Sequence, residues 1–354
     1  MTTHIRLSSG DGPVYRTVLQ TPLRDATAAE IPVIDIAGIF SSSAAERAAV
    51  ATQIHAAATG TGFFYMRGHG IAAAVTEAAR TACLDFFRQP LATKQLADAT
   101  KSRFFNGYKS PQTQRINAAE SVDVRETFSW VYDPAYDPAV QTTETSIPPA
   151  IAVWLRGEAF PWLATANLPH FRTAIVAYWQ ACLGLARALL HSFALSLGLP
   201  ETALDARFSH PDAALALNYY PPIAATTPDV SIGSHTDFQL FTILWQDDCG
   251  GLQVLSRSGQ WLTAPPLADT LVVNIGDFFQ RITNDRYVST VHRAQNHSGR
   301  ERVSMPFFFG FNRNEVCGVL DTCVGPGETK KYPDIRCADW VDRRVRAMHM
   351  GSST

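Results

Sequence analysis

His235 and Asp237 stand two residues apart in Ser-His-Thr-Asp-Phe, and His292 follows in Ser-Thr-Val-His-Arg. Two neutral imidazoles and one carboxylate can bind one face of a non-haem Fe(II), leaving other positions open for a cosubstrate and O₂. The same donors also occur in zinc hydrolases. Arg302 and Ser304, in Arg-Val-Ser, favour iron. A guanidinium and a hydroxyl hold a carboxylate by charge-assisted hydrogen bonds, which a zinc hydrolase does not generally need. Arg302 opens the apolar run Val-Ser-Met-Pro-Phe-Phe-Phe, and a guanidinium buried there needs an anion. Iron site and clamp together point to an oxygenase.

These residues need strands to position them. His235 and Asp237 are i and i+2, so on a strand they share a face. Arg302 and Ser304 share one for the same reason. The stretch between Asp237 and His292 is long enough for several short strands to go out and return, so the third donor can arrive from a neighbouring strand.

The chain resembles the iron- and 2-oxoglutarate-dependent oxygenases of the isopenicillin N synthase-like group. The likeness runs through Ile31-Pro-Val-Ile-Asp-Ile36, Gly62-Phe-Phe-Tyr-Met-Arg-Gly-His-Gly70, Phe86-Phe87 ahead of Pro90, Asn218-Tyr-Tyr-Pro-Pro222, Gly250-Gly-Leu-Gln-Val254, Val272-Val-Asn-Ile-Gly-Asp277 and Ser289-Thr-Val-His-Arg293. It implies iron ligation by His235, Asp237 and His292. It also implies that Arg302 and Ser304 grip the far carboxylate of 2-oxoglutarate, with Tyr220 and Asn218 beside them. Fe(II), 2-oxoglutarate and O₂ follow as cofactor and cosubstrates. Asn274 and Asp277 are expected to support the ligands. Some relatives use the Arg-x-Ser pair for the substrate's own carboxylate and need no 2-oxoglutarate.

The substrate wall is expected to include Phe128, Trp130, Phe238, Leu240 and Phe308. Phe308 shares a strand face with Ser304, and Phe128 with Trp130. Ala216 and Gly310 stand where some relatives carry polar or charged side chains toward substrate. Their small apolar character favours a bulky, mainly apolar ligand over a charged amino acid.

Composition narrows the function classes. The 354 residues are 46% hydrophobic with a formal net charge of −2 and no long charged run. That argues against nucleic-acid or membrane-surface binding, which needs a concentrated positive patch. Cys83, Cys182, Cys249, Cys317, Cys323 and Cys337 are scattered without Cys-x-x-Cys spacing, as expected of reduced thiols in a cytoplasmic protein. The first residues lack the apolar core of a secretory signal. Ala181 to Leu199 contains Arg187, His191 and Ser192, and reads as a buried amphipathic helix rather than a membrane span.

Residues 1–28 read as an irregular arm, 29–165 as an N-terminal oxygenase segment, and 166–354 as the catalytic core with a C-terminal helix. Helices are expected near 44–59, 72–88, 168–198 and 334–347, from apolar spacing near 3.6 residues and from Gly198 and Pro200 as stop signals. Short β-rich runs fill 213–311. These give a mainly β core with helical support. The resemblance makes it a double-stranded β-helix, or jelly roll, with the N-terminal α/β segment packed on it. The leading expectation is an enzyme that oxidises a mainly apolar small molecule in specialised metabolism, with no obligate protein partner evident. The competing expectations are an iron oxidase of the same fold without 2-oxoglutarate, and a non-catalytic small-molecule-binding protein with a vestigial site.

Overall fold

The computed structural model describes residues 2–9, 12–141, 147–222 and 231–350, with side chains for all of these except 8, 9, 141 and 346–350. Fifteen of its strands bear on the site. They are β1 (Thr2–Ser9), β2 (Gly12–Leu19), β3 (Arg24–Asp25), β4 (Val33–Asp35), β5 (Phe63–Arg67), β6 (Gly107–Lys109), β7 (Glu126–Val131) and β8 (Asp212–Tyr220) from the first part of the chain. From the second part come β9 (Ile232–His235), β10 (Phe241–Gln246), β11 (Leu252–Leu255), β12 (Trp261–Thr263), β13 (Leu271–Ile275), β14 (His292–Ala294) and β15 (Arg302–Gly310). An eight-stranded sheet has the order β4-β5-β13-β10-β15-β8-β7-β6, and a five-stranded sheet the order β3-β12-β11-β14-β9. The N-terminal segment thus supplies both ends of the large sheet.

Alternation decides what each face of the large sheet does. Phe128, Trp130, Leu215, Leu217, Ile243, Phe307 and Phe309 point to one face and are buried in the main core. Helices α1 (Ala44–Thr59), α2 (Ala73–Phe87) and α3 (Phe171–Ser196) cover that face. The opposite face carries Thr127, Ser129, Ala216, Asn218, Ser304 and Phe308, and these line a cavity of about 950 Å³. The small sheet lies across that cavity and contributes His235 and His292 to its wall. Phe63 and Leu252 also line the cavity, and with Tyr65, Val272 and Val254 they join in a smaller cluster.

Two expectations change. The arm is not irregular: β1 and β2 pair in register from Thr2↔Leu19 to Ser9↔Gly12, and Leu7 and Val18 pack on Leu255, Trp261 and Val291. Short polar strands with few apolar positions hide their period in a single sequence. Helix α3 is, by length and composition alone, long and apolar enough to cross a membrane, so its charges do not set it apart from a span as expected. Half of its most apolar window is buried here, and Tyr178, Trp179, Leu183, Leu189 and Phe193 lie in the main core. The six cysteines form no disulfide.

Candidate active site

The two histidines face each other directly. β9 and β14 pair antiparallel with His292 opposite His235, and the ring centroids lie 4.3 Å apart. Asp237 reaches them differently from the i, i+2 strand argument. β9 ends at His235, and Asp237 sits in the turn that follows. Its backbone carbonyl accepts from Asp277 N at 2.8 Å, which holds the turn. His235 Nε2 lies 3.9 Å from Asp237 Oδ1, and His292 Nε2 lies 3.8 Å from Asp237 Oδ2. The three donor atoms all fall within 4.8 Å of one another.

Support around these donors fixes their chemistry. His235 Nδ1 donates to Gly233 O at 2.7 Å, and His292 Nδ1 to Thr290 O at 3.1 Å. A carbonyl only accepts, so each Nδ1 carries the proton and each Nε2 offers its lone pair. Burial, with the second imidazole alongside, holds the His235 ring well below its ordinary pKa and therefore neutral. Burial works against the Asp237 carboxylate, but the two imidazoles and two hydrogen bonds outweigh it and keep the group below the usual range. Those bonds come from Thr242 Oγ1 at 2.5 Å and Asn274 Nδ2 at 2.7 Å, both to Oδ2. Oδ1 faces His235, and Oδ2 is the oxygen nearer His292.

The turn is held from two further sides. Asp277 opens helix α4 (Asp277–Ile282), accepts from Thr236 Oγ1 at 3.0 Å and pairs with Arg344 at 2.7 Å. Arg344 belongs to helix α5 (Cys337–Met350). Trp340 Nε1 donates to Phe238 O at 2.7 Å, and Val341 reaches the cavity wall. On the other side, β9 is the edge of the small sheet, and side chains from the N-terminal segment satisfy that edge. Asn117 donates to Ser234 O at 3.0 Å, and Glu120 and Asp123 accept from Ser234 N and Gly233 N at 2.6 and 3.3 Å.

Arg302, Ser304, Tyr220 and Asn218 form two cross-strand pairs, Arg302↔Tyr220 and Ser304↔Asn218. The guanidinium lies over the Tyr220 ring at 4.6 Å, and Ser304 Oγ is 3.4 Å from Tyr220 Oη and 3.5 Å from Asn218 Nδ2. Arg302 Nε donates to Gly250 O, and Nη2 to Gln246 Oε1 at 3.4 Å. Gly250 and Gly251 both have positive φ, 73° and 91°, which suits glycine. A side-chain carbon on Gly251 would meet the Gln295 carbonyl oxygen at 2.3 Å. Arg302 is 1% exposed, yet Nη1 has no hydrogen-bond partner and, among the described residues, the guanidinium makes no ion pair.

Three of the five expected substrate-wall residues are corrected. Phe238 and Phe308 line the cavity. Phe128 and Trp130 do not: they point to the helices, where Phe128 packs edge-on against Phe86 and Trp130 against Trp162. Leu240 is fully buried in the same core. The cavity instead takes the alternate residues of β7, Thr127, Ser129 and Val131. A one-residue change of phase exchanges the two faces, and the small polar residues are the signal that the sequence reading passed over. Sequence reasoning also missed Thr242, Arg125, Lys109 and Arg344.

A metal-ready triad beside an anion-ready arginine, inside two facing β-sheets, defines a mononuclear metal oxygenase fold. Residues 31–150 match the N-terminal region of non-haem dioxygenases described from morphine synthesis, and 211–311 match the 2-oxoglutarate–Fe(II) oxygenase superfamily. A 2-oxoglutarate–Fe(II) type oxidoreductase of Metarhizium majus, ppzC, is 56% identical across 97% of this chain and 94% of its own length. The 2-oxoglutarate-dependent dioxygenase citB of Monascus ruber is 33% identical across 85% of this chain and 90% of its own. A full-length Neurospora crassa protein, solved in complex with α-ketoglutarate, shares the fold at a TM-score of 0.75 and 23% identity, covering 89% of this chain and 96% of that one. The chain belongs to the 2-oxoglutarate- and Fe(II)-dependent oxygenase superfamily. It is an enzyme whose cofactor is Fe(II) and whose cosubstrates are 2-oxoglutarate and O₂.

Proposed function

We propose that His235, Asp237 and His292 ligate the iron, and that Arg302 and Ser304, with Tyr220 and Asn218, hold the distal carboxylate of 2-oxoglutarate. One observation carries the second assignment. Arg302 is buried with Nη1 unpartnered and, among the described residues, without a carboxylate in ion-pair contact. Burying a guanidinium is costly unless an anion arrives, so the site fits an anionic ligand.

When bound, the iron supplies O₂ activation coupled to oxidative decarboxylation of 2-oxoglutarate. The chain's own work is placement. Gly233 O and Thr290 O fix the imidazole tautomers. Thr242 and Asn274 occupy one carboxylate oxygen of Asp237 and leave the other for the metal. Gly250 O and the Tyr220 ring set the angle of the Arg302 fork. Phe238, Val131 and Phe308 give a substrate an apolar surface in the same cavity as the triad.

The substrate is a small molecule, and the likeness to fungal 2-oxoglutarate-dependent oxidoreductases supports a role in specialised metabolism. Hydroxylation is the default outcome, with desaturation or rearrangement as variants. Residues 29–165 and 166–354 act as one catalytic unit, because strands of both make the large sheet. Reduced, scattered cysteines and near-neutral charge support a cytoplasmic enzyme independent of nucleic acid, membrane or an obligate protein partner.

The test is anaerobic addition of Fe(II) and then 2-oxoglutarate to the metal-free protein. A weak visible charge-transfer band is expected, absent in Arg302→Ala. Bound iron without the band would move the clamp to a carboxylate of the substrate itself.

A further inference from the structure

Six cations line the cavity; Arg115 is exposed, and three others are already engaged. Arg156 pairs with Asp212, Arg293 lies 4.0 Å over Trp261 and donates to Gln253, and Arg302 belongs to the clamp. Arg125 and Lys109 are different. Arg125 is about nine-tenths buried (9% exposed) and lines the cavity, and its Nε has no partner. Nη1 donates to Asn218 Oδ1 at 2.7 Å, a neutral acceptor. The nearest carboxylate, Asp123, is 3.5 Å from Nη2 and is shared with Gly233 N and Ile116 N. Lys109 is half-buried on the same wall and, among the described residues, has no hydrogen-bond or ion-pair partner; its ammonium only approaches the Phe105 ring at 5.9 Å.

Register separates Lys109 from the clamp, whereas Arg125 touches the clamp's outer residue, Asn218. Lys109↔Thr127, Thr127↔Asn218 and Asn218↔Ser304 make one row of side chains across β6, β7, β8 and β15. Three strand spacings put Lys109 roughly 14 Å from Ser304 along the sheet. A five-carbon diacid anchored at Ser304 does not reach it. Along the same face, the row Val131↔Ala214↔Phe308 is apolar.

We propose that Lys109 and Arg125 form a second anion subsite that receives a carboxylate or similar oxyanion carried by the substrate, whose apolar body lies along Val131, Phe238 and Phe308. The proposal rests on reading Arg302 as the cosubstrate clamp. Two cations on one wall, with Asp123 at 3.5 Å from one of them as their single ion-pair partner among the described residues, leave positive charge that a further anion can offset. The state of Lys109 agrees: burial and the neighbouring Arg125 push its ammonium down to about 8. The substrate charge inferred here is met by the N-terminal segment. Ala216 and Gly310, the positions that some relatives use for polar contacts, stay small.

The test compares 3-phenylpropanoate with 3-phenylpropanamide, which differ in charge and little in shape. Binding is measured by calorimetry on protein loaded with Mn(II) and saturating 2-oxoglutarate. The carboxylate is expected to bind about tenfold or more tightly than the amide, as a charge-assisted hydrogen bond implies. Lys109→Met is expected to bring the two affinities together while leaving that of the amide little changed. Arg125→Lys, which keeps the charge, retains part of the preference. Equal affinities in the unaltered protein, no measurable carboxylate binding, a preference that survives Lys109→Met, or displacement of 2-oxoglutarate by the carboxylate would each overturn the subsite. Failure of 2-oxoglutarate itself to bind the Mn(II) protein would instead overturn the clamp assignment, and the subsite with it.

Discussion

The two polar walls of the cavity are built on opposite plans. In the triad the ligands' own supporting atoms are tied down: both Nδ1 atoms donate to carbonyls, and Asp237 Oδ2 accepts twice. Around Arg302 donors are left over, and Nη1 has no partner. A metal needs its ligands held in one geometry before it arrives, so the protein supplies the supporting bonds itself. A dissociable cosubstrate must supply the last bonds, so the protein keeps donors free for it. Rigidity and incompleteness are both preorganisation, for different guests.

Four experiments would break or sharpen that contrast. The largest effect is expected from His292→Ala: stoichiometric metal binding and succinate release should both fall by more than about 100-fold, beyond the cost of losing a supporting partner. Metal analysis that still finds one tightly bound ion would sink the ligand assignment. Next is Trp130→Ala on the helix-facing side of β7, expected to cost about 3–5 kcal/mol of stability in denaturant melts. Ser129→Leu, on the cavity side, should change substrate turnover with little loss of stability. If the two exchanged behaviours, the assignment of faces would be wrong. Arg302→Met should weaken 2-oxoglutarate binding by about 10–100-fold. It should hardly lower the melting temperature of the ligand-free protein, because a buried unpaired charge is removed as well. A large drop in melting temperature would mean that the clamp wall is structurally complete after all. The smallest effect is expected from Thr242→Val, about tenfold in metal affinity by competition with a chelator. No change would leave Asn274 as the sufficient support.

Residue types carried the chemistry, and distance in sequence hid its setting. The His-x-Asp pair, the distant His292 and Arg302-x-Ser304 were legible because each is chemically distinctive. Helices α1, α2 and α3 were legible because their apolar spacing is local, although the jelly roll rested on resemblance. Phe128 and Trp130 misled because an aromatic alternation marks a buried face without saying whether helix or ligand covers it. The clasp of Asn117, Glu120 and Asp123 on the edge of β9 crosses more than a hundred positions. Nothing within the Pro-, Thr- and Asp-rich stretch that carries it reports that partnership. The hairpin of β1 and β2 was lost for a simpler reason: too few apolar residues mark its inner face.

β6 closes one end of the large sheet, with β7 beside it. The proposed metal ligands and clamp lie on β8, β9, β14, β15 and the turn after β9. Lys109, Thr127, Ser129 and Val131, which line the cavity, are all on the outer pair of strands. Exchange of those two strands for a relative's, with the clasp of Asn117, Glu120 and Asp123 between them retained, would alter what the enzyme accepts without moving the proposed metal ligands. Within such a scaffold, diversification of substrates can proceed at a margin of the sheet while the oxidative apparatus is inherited unchanged.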